Sequence, residues 1–261
     1  MNESALVLLE HEDGLARLRL NRPEVRNALS LPALKCLRGL LGRVASDQGI
    51  RAVEITGSGE KAFCAGADLK ERRSLSESQV REYMREIRIV MDAVAALPQP
   101  TVAVLNGSAF GGGCELALAC DLRVMQAGDR IGLTETSLGI IPGAGGCVRL
   151  PRLVGAARAK DMILLARRLD AEEARDMGLI QFLAPAGEVR RVGREVLEVL
   201  MRNAPLALRA AKAAIDGGLE RPLEEALQHE FDCYLRTLPT RDRLEALAAF
   251  AEKRPPRFEG R

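Results

Sequence analysis

The chain has 261 residues, of which 47% are hydrophobic and 28% are charged, values typical of a globular protein with one sizeable core. Its 38 basic and 36 acidic residues give a net charge of +2 and are interspersed, which is not the pattern of a nucleic-acid-binding protein. No apolar run approaches the roughly 18 residues of a membrane-spanning helix, so we expect no membrane segment.

Histidine and cysteine usage restricts the chemistry that we expect. The six cysteines form no CxxC pair, and the only histidines, His11 and His229, stand in charged surroundings. This composition argues against a zinc site and against Ser-His-Asp or Cys-His catalysis. We therefore expect buried thiols in a reducing compartment, no metal, surface histidines, and chemistry performed by carboxylates and backbone groups.

The first residues are acidic where a transit peptide would be rich in arginine, and they show no basic region followed by an apolar segment. We therefore expect a mature cytoplasmic chain, although a processed organellar chain would look the same.

Strands and helices alternate in the predicted elements as far as residue 186. The predicted strands are 5–9, 15–20, 51–56, 101–105, 122–125 and 179–183, and the predicted helices are 30–49, 76–97, 160–166 and 171–177. Alternation of this kind indicates a mixed α/β domain with parallel strands over residues 1–186. Residues 187–261 show only helical patterns, and we expect this helical region to pack on the first domain or on another subunit.

One stretch, residues 100–121, combines features that suggest a site. The buried strand leads through Asn106 to three consecutive glycines, Gly111 to Gly113, and then to a predicted helix from Cys114 to Cys120. Free N–H groups at a helix start attract negative charge, and Glu115 lies in the first helical turn. The alternative is that the glycines only permit tight packing and that Glu115 complements the helix dipole.

A second carboxylate and a second loop complete the candidate constellation. Glu135 opens another glycine-rich stretch, and the loop at residues 63–69 is small and apolar, which would let a ligand approach its backbone. Two carboxylates and two sets of backbone N–H donors suit proton transfer at a carbon beside a thioester carbonyl.

Three motifs resemble those of the enoyl-CoA hydratase/isomerase (crotonase) superfamily. They are FCAGADL at 63–69, NGSAFGGGCELALACD at 106–121 and ETSLGIIPGAGG at 135–146. The resemblance runs from Leu20 to the C-terminus, and CAGADLKER at 64–72 is most similar to the methylglutaconyl-CoA hydratase branch. It implies a spiral of ββα units followed by a helical trimerisation region, assembled as a homotrimer or as a hexamer of two trimers.

The resemblance also implies an activity and its residues. The substrate would be a 2-trans-enoyl-CoA such as 3-methylglutaconyl-CoA, to which Glu115 and Glu135 would add water, with Glu115 activating the water and Glu135 protonating Cα. The N–H groups of Ala67 and Gly112 would form the oxyanion hole, and coenzyme A would be part of the substrate, with no other cofactor. The implied contacts to substrate or coenzyme A are Ala65, Gly66, Asp68, Leu69, Gly111, Pro142 and Gly143, with Phe250 and Lys253 donated by a neighbouring subunit.

Two alternatives stay open at this point. Other members of the superfamily, such as isomerases, keep the oxyanion hole and change the carboxylates. Some relatives of the methylglutaconyl-CoA hydratase branch bind RNA through a lysine-rich helix. The matching helix here carries only Lys35, Arg38 and Arg43, so we do not expect nucleic-acid binding.

Overall fold

The computed structural model describes residues 5–261 and arranges their strands in two sheets. The strands are β1 (Val7–Glu12), β2 (Leu15–Leu20), β3 (Ala52–Gly57), β4 (Ala62–Cys64), β5 (Thr101–Leu105), β6 (Ser108–Phe110), β7 (Leu122–Gln126), β8 (Arg130–Gly132), β9 (Leu169–Asp170) and β10 (Phe182–Ala184). The larger sheet has the order β1-β2-β3-β5-β7-β10, and the smaller sheet has the order β4-β6-β8-β9.

Most neighbouring strands are parallel. In the larger sheet only the β1–β2 hairpin is antiparallel, and in the smaller sheet only the β8–β9 pair is antiparallel. The prediction of a mixed α/β fold with parallel strands is therefore confirmed. The first four residues of the predicted domain 1–186 lie outside the described residues.

Helices connect the strands and then continue alone. They are α1 (Leu31–Ser46), α2 (Leu69–Arg72), α3 (Glu77–Ala95), α4 (Gly112–Ala119), α5 (Gly146–Val154), α6 (Ala156–Leu164), α7 (Ala171–Asp176), α8 (Val189–Arg202), α9 (Pro205–Gly218), α10 (Leu223–Leu235) and α11 (Arg241–Glu252). The all-helical character of the chain beyond residue 187 is as predicted. Within residues 5–261, every helix is too short or too polar to cross a bilayer.

The two long helices of the core begin where the sequence provides caps. The Ser30 hydroxyl accepts a hydrogen bond from Ala33 N at 3.3 Å, and a proline occupies the first turn of α1. Ser76 and Gln79 form a reciprocal capping box at the start of α3. These two helices pack against each other and carry apolar stripes into the main hydrophobic core.

The larger sheet is covered on both faces. A smaller second core lies between one face of the sheet, represented by Val102 and Val104, and α8, represented by Val189 and Leu197. The helical region that begins near residue 187 therefore starts by covering one face of the larger sheet. A 2.8 Å ion pair between Lys212 of α9 and Asp121 connects the next helix to the same domain.

Several short elements escaped the sequence analysis. Strands β4, β6, β8 and β9 have only two or three residues each, too few to show a period, and they form the whole of the smaller sheet. Helix α5, which begins with Gly146 and contains Pro151, was also not predicted. Helix α4 begins at Gly112, two positions before the predicted Cys114, because the glycines themselves adopt helical backbone.

Cysteine and histidine exposure follows the expectation only in part. Cys64, Cys114, Cys120 and Cys233 are buried and Cys36 is half-buried, whereas Cys147 at the start of α5 is exposed, contrary to the prediction. His11 is exposed as expected. His229 is half-buried instead, and its Nε2 lies 3.0 Å from Ala213 O.

The start of α4 packs on β4 so closely that only glycine fits. A Cβ on Gly113 would lie 2.2 Å from the backbone oxygen of Cys64. We therefore expect Gly113→Ala to lower the free energy of unfolding by about 1–3 kcal/mol. Gly39→Ala is the matched control, because Gly39 lies inside α1 with nothing within 4 Å of its would-be Cβ and should gain up to about 1 kcal/mol. Denaturant unfolding measures the free energy of unfolding of both variants. A Gly113→Ala variant as stable as the wild type would contradict the close packing.

Candidate active site

One cavity of about 490 Å³ lies where the loop after β4, the first turn of α4 and the segment after β8 meet α3. It brings together Ala67, Gly112, Glu115 and Glu135, which are far apart in the sequence. The lining residues are Ala65, Gly66, Ala67, Leu69, Arg72, Tyr83, Met84, Ile87, Phe110, Gly111, Gly112, Glu115, Thr134, Glu135, Leu138, Ile140, Ile141 and Gly143.

Two backbone N–H groups in this cavity have no acceptor among residues 5–261. Neighbouring amides are used, since Asp68 N donates to Leu29 O at 3.1 Å and Gly111 N donates to Gly132 O at 2.9 Å. The amides of Ala67 and Gly112 remain free in the described part of the chain. An oxygen atom placed in the cavity can therefore accept hydrogen bonds from both.

Glycine brings these two amides close to each other. Gly66 has a φ of +96°, which favours glycine, and a Cβ there would lie 3.2 Å from Gly112 N. A Cβ on Gly112 would lie 3.6 Å from Ala67 N, in the space that a bound oxygen needs. The φ of Gly112 is not positive, so its requirement for glycine is one of space rather than of backbone conformation.

Glu115 is held by backbone groups in the first turn of α4. Its side chain is buried, and Oε1 accepts hydrogen bonds from Ala144 N and Gly146 N, each at 2.8 Å. Burial raises the pKa of this carboxyl group, while the two amides and the nearby Arg149 favour the ionised form. The side chain therefore has one defined orientation, with strong hydrogen bonds that support its charge.

Glu135 has a different environment at the start of a 3-10 turn, Glu135–Leu138. Its Oε2 is buried without a hydrogen-bond partner among residues 5–261. Burial raises its pKa to about 7, the charge of Glu115 adds to this rise, and its own backbone N–H opposes it. A carboxyl group with this pKa carries its proton for much of the time near neutrality and can donate it.

The other predicted contacts divide into two groups. Ala65, Gly66, Leu69, Gly111 and Gly143 line the cavity, whereas Asp68 and Pro142 do not. The Asp68 carboxylate instead caps α2 by accepting hydrogen bonds from two backbone amides, and it pairs with Arg22 at 3.0 Å. Its side chain thus stabilises the loop that carries Ala67.

Phe250 and Lys253 lie on α11 and at its C-terminal cap, outside this cavity. The phenylalanine is 87% exposed. Their predicted contribution to a neighbouring subunit's coenzyme A site stays a prediction.

Half of the lining was missed by the sequence analysis as site residues. Met84 and Ile87 belong to the apolar stripe of α3, a pattern typical of residues that pack in a core, and Arg72 belongs to a charged run of the kind found on exposed surfaces. The full set of missed lining residues is Arg72, Tyr83, Met84, Ile87, Phe110, Thr134, Leu138, Ile140 and Ile141. For Arg72 the only available signal was its place as the last residue of the CAGADLKER segment at 64–72.

A sequence model of the family described as enoyl-CoA hydratase/isomerase matches residues 10–261. The chain belongs to the enoyl-CoA hydratase/isomerase family. An enoyl-CoA isomerase/hydratase of Mycosarcoma maydis, fer4, is 43% identical over 274 residues that span 100% of both chains. The mitochondrial methylglutaconyl-CoA hydratase of Homo sapiens is 43% identical over 257 residues, 97% of this chain and 76% of that protein.

Solved structures of the family agree with the fold. The crystal structure of enoyl-CoA hydratase from Bacillus anthracis superimposes with a TM-score of 0.96 at 45% identity, covering 98% of this chain and 100% of that chain. The resemblance drawn from the three motifs is thus confirmed, and so is the crotonase fold. The chain is an enzyme of a family that acts on acyl-CoA thioesters.

The raised pKa of Glu135 predicts a pH-dependent effect of Glu135→Gln on the enzyme's stability. The folded state binds this proton more tightly than the unfolded chain does, so the wild type loses free energy of unfolding as the pH rises from about 4.5 to about 7. Glutamine is neutral at every pH in this range, so the variant does not lose this part of the free energy of unfolding. We expect the variant to be more stable at pH 8 by about 1–2 kcal/mol, after allowance for solvent screening of a half-exposed group.

Thermal melts at pH 5 and pH 8 measure this difference. The stabilisation should narrow towards pH 5, and the matched control Glu230→Gln, the same change at an exposed glutamate on α10 outside the cavity, should not reproduce the gain in stability at pH 8. If Glu135→Gln is no more stable than the wild type at pH 8, ionisation of Glu135 does not lower the free energy of unfolding, and the prediction is wrong.

Proposed function

We propose that the enzyme is an enoyl-CoA hydratase, a carbon–oxygen lyase that adds water across the Cα=Cβ bond of a 2-trans-enoyl-CoA. The observation that carries the proposal is that two carboxyl groups in different environments share one cavity with two free backbone amides. No cofactor is needed beyond the coenzyme A of the substrate itself.

The amides of Ala67 and Gly112 would bind the thioester oxygen. Addition of water at Cβ moves electron density onto this oxygen, which becomes an enolate. Two preorganised N–H donors stabilise that charge without reorganising, which is the largest contribution in many acyl-transfer and enolate reactions. The lack of side chains at Gly66 and Gly112 gives the oxygen room to approach both donors.

The two glutamates would transfer the protons. Ionised Glu115, held by Ala144 N and Gly146 N, accepts a proton from water as the water oxygen bonds to Cβ. Protonated Glu135 then gives its proton to Cα as the enolate collapses. Water has been added in full, and the proton now on Glu115 must move to Glu135 or to solvent before the next cycle.

An isomerase is the second candidate, because the relatives' names include both activities. An isomerase moves one proton between two carbons, for which a single carboxylate suffices. The second carboxyl group in the cavity favours the hydratase, since a water molecule needs a base on one side and the enolate an acid on the other. The identity of the acyl group is also part of this proposal. The name of one relative suggests 3-methylglutaconyl-CoA as a substrate.

A panel of acyl-CoA thioesters distinguishes the two activities. We expect 2-enoyl-CoA substrates to lose their enoyl-thioester absorbance and to incorporate one atom of ¹⁸O from labelled water. An isomerase would instead convert 3-enoyl-CoA to 2-enoyl-CoA and incorporate no label. If none of the products carries the label, the hydratase proposal is refuted.

Replacing either glutamate should abolish most of the hydration. We expect Glu115→Gln and Glu135→Gln each to lower kcat/KM by about 10²–10⁴-fold, because glutamine can neither accept nor donate the required proton. Glu82→Gln is the control with the same chemical change outside the cavity, and it should retain wild-type rates. Near-normal turnover in either cavity variant would remove that residue from the mechanism.

Two of the three cationic side chains of α1 form ion pairs and are not available to nucleic acid. Lys35 lies 3.4 Å from Glu82, and Arg38 lies 2.9 Å from Glu86. Pairing with α3 reduces the positive potential that a phosphate backbone would need. This supports the acyl-CoA reading over the RNA-binding alternative.

The oligomeric state is predicted to be a trimer or a hexamer. Helices α9 to α11 expose large apolar side chains, including Leu219 at 72%, Leu223 at 76% and Phe250 at 87%. These exposed side chains favour association, and the resemblance to the crotonase superfamily implies the number of subunits. Light scattering should then give three or six times the 28.3 kDa of one chain. A stable monomer at micromolar concentration would contradict this assembly and would separate Phe250 and Lys253 from any coenzyme A site.

A further inference from the structure

The turn that binds Glu115 is itself held by an arginine side chain. Ala144 N and Gly146 N donate to Glu115 Oε1 from the turn that leads into α5. Segments of this kind are more mobile than the helices and strands that they connect. Here the carbonyl oxygen of Ala144 accepts a hydrogen bond from Arg149 Nη1 at 3.1 Å, so the same turn is bound on two sides.

Arg149 connects this turn to α3. Its Nη1 donates to Ala144 O, and its Nη2 donates to the carboxylate of Asp92 at 2.7 Å. Asp92 belongs to α3, the helix that also contributes to the wall of the cavity. Arg149 is half-buried and does not line the cavity. It can therefore influence a bound substrate through the turn that holds Glu115, and not by direct contact.

The backbone of the turn leaves room for this guanidinium group. Gly145 lies between the two donor residues and has a φ of +114°, a conformation that favours glycine. A Cβ on Gly145 would collide with Arg149 Nη1. The guanidinium thus occupies the space that a side chain at position 145 would need. Gly145 and Arg149 are complementary in shape, and each restricts the position of the other.

Arg149 also places a positive charge near Glu115. Burial raises the pKa of the Glu115 carboxyl group, and the two backbone donors and the charge of Arg149 oppose that rise. The side chain that fixes the turn therefore also favours the ionised form of the carboxylate that the turn binds.

Other titratable groups also surround Glu115 on its own helix, in the cavity wall and on α5. They are Cys114, Arg72, Tyr83, Glu135 and Cys147. Burial raises the pKa of both thiols and of the Tyr83 hydroxyl, so these groups are neutral near pH 7. Glu135 adds negative charge when it is ionised. Arg72 is cationic as well, but Arg149 is the cation hydrogen-bonded to the turn that binds Glu115.

These two contributions act on one catalytic group. A general base must be ionised and must lie within hydrogen-bond reach of the water that it activates. Resting on the proposed hydratase activity, we propose that Arg149 is a positioning residue. It holds the turn at residues 144–146 on α3, so that Glu115 keeps both the orientation and the negative charge that a general base needs.

The kinetics of Arg149→Met test this role. This variant loses the charge and the donors but keeps an extended side chain. We expect kcat for hydration to fall about 10- to 100-fold with little change in KM, because a small displacement of a catalytic group is enough for such a loss. The acidic limb of the kcat/KM profile should move to higher pH, since loss of the positive charge raises the pKa of Glu115.

Three further variants serve as controls. Arg149→Lys keeps the charge without the planar fork, so the acidic limb should stay close to its wild-type position and part of kcat should return. Arg149→Gln removes the charge but keeps a donor for Ala144 O, and it takes the place of Arg149→Met if that variant does not fold. Arg152→Met makes the same change at an exposed arginine of α5 that pairs with Glu220, and it should keep the wild-type kcat and pH profile.

Infrared spectroscopy follows Glu115 without any turnover. The carbonyl band of its protonated carboxyl group is the band that Glu115→Gln removes. In Arg149→Met this band should persist to higher pH than in the wild type. The ¹⁸O experiment tests the hydratase activity separately, so a shifted band in an enzyme that incorporates no label would refute only the proposed function.

The outcomes distinguish a positioning role from a merely structural one. Wild-type kcat and an unshifted acidic limb in Arg149→Met would overturn the proposal. Equal loss of activity at every pH, with an unshifted carboxyl band, would also overturn it, because Arg149 would then support only the fold. A higher KM with unchanged kcat would assign Arg149 to substrate binding and would overturn the proposal as well.

Discussion

The whole site depends on a close approach of two backbone segments that side chains would prevent. A Cβ on Gly113 would lie 2.2 Å from Cys64 O, and one on Gly66 would lie 3.2 Å from Gly112 N. Because both positions are glycine, the loop after β4 packs directly on the first turn of α4. This contact leaves the amides of Ala67 and Gly112 facing one cavity, and the carboxylates are arranged around them.

The local backbone gives two identical side chains different properties. Glu115 lies in a helical turn and accepts two hydrogen bonds from the glycine-rich segment before α5, which favour its ionised form. Glu135 begins a 3-10 turn and has an unpartnered buried oxygen, which favours its protonated form. A base and an acid can thus coexist near neutral pH, although both residues are glutamates.

Sequence patterns predicted the elements whose local signals are strong. The bounds of β5 were predicted at 101–105, and Ser30 and Ser76 correctly marked the starts of α1 and α3. The smaller sheet was missed because its strands exist only through pairing between distant segments, such as Ala62 with Ser108. Contacts of this kind leave no periodic trace in two or three residues.

The same distinction applies to the site. Glu115 and Glu135 could be proposed because glycine clusters mark a backbone that something must approach, and family motifs then gave them roles. Arg72 could not, since a charged residue in a short polar run is ordinarily solvated. Its position follows from the fold, because Arg72 lies five positions after Ala67, at most ~17 Å of chain, and α2 shortens that span. Helix α2, which follows the loop that carries Ala67, thus places Arg72 in the wall of the cavity, with its guanidinium carbon 5.9 Å from the centroid of the Tyr83 ring of α3.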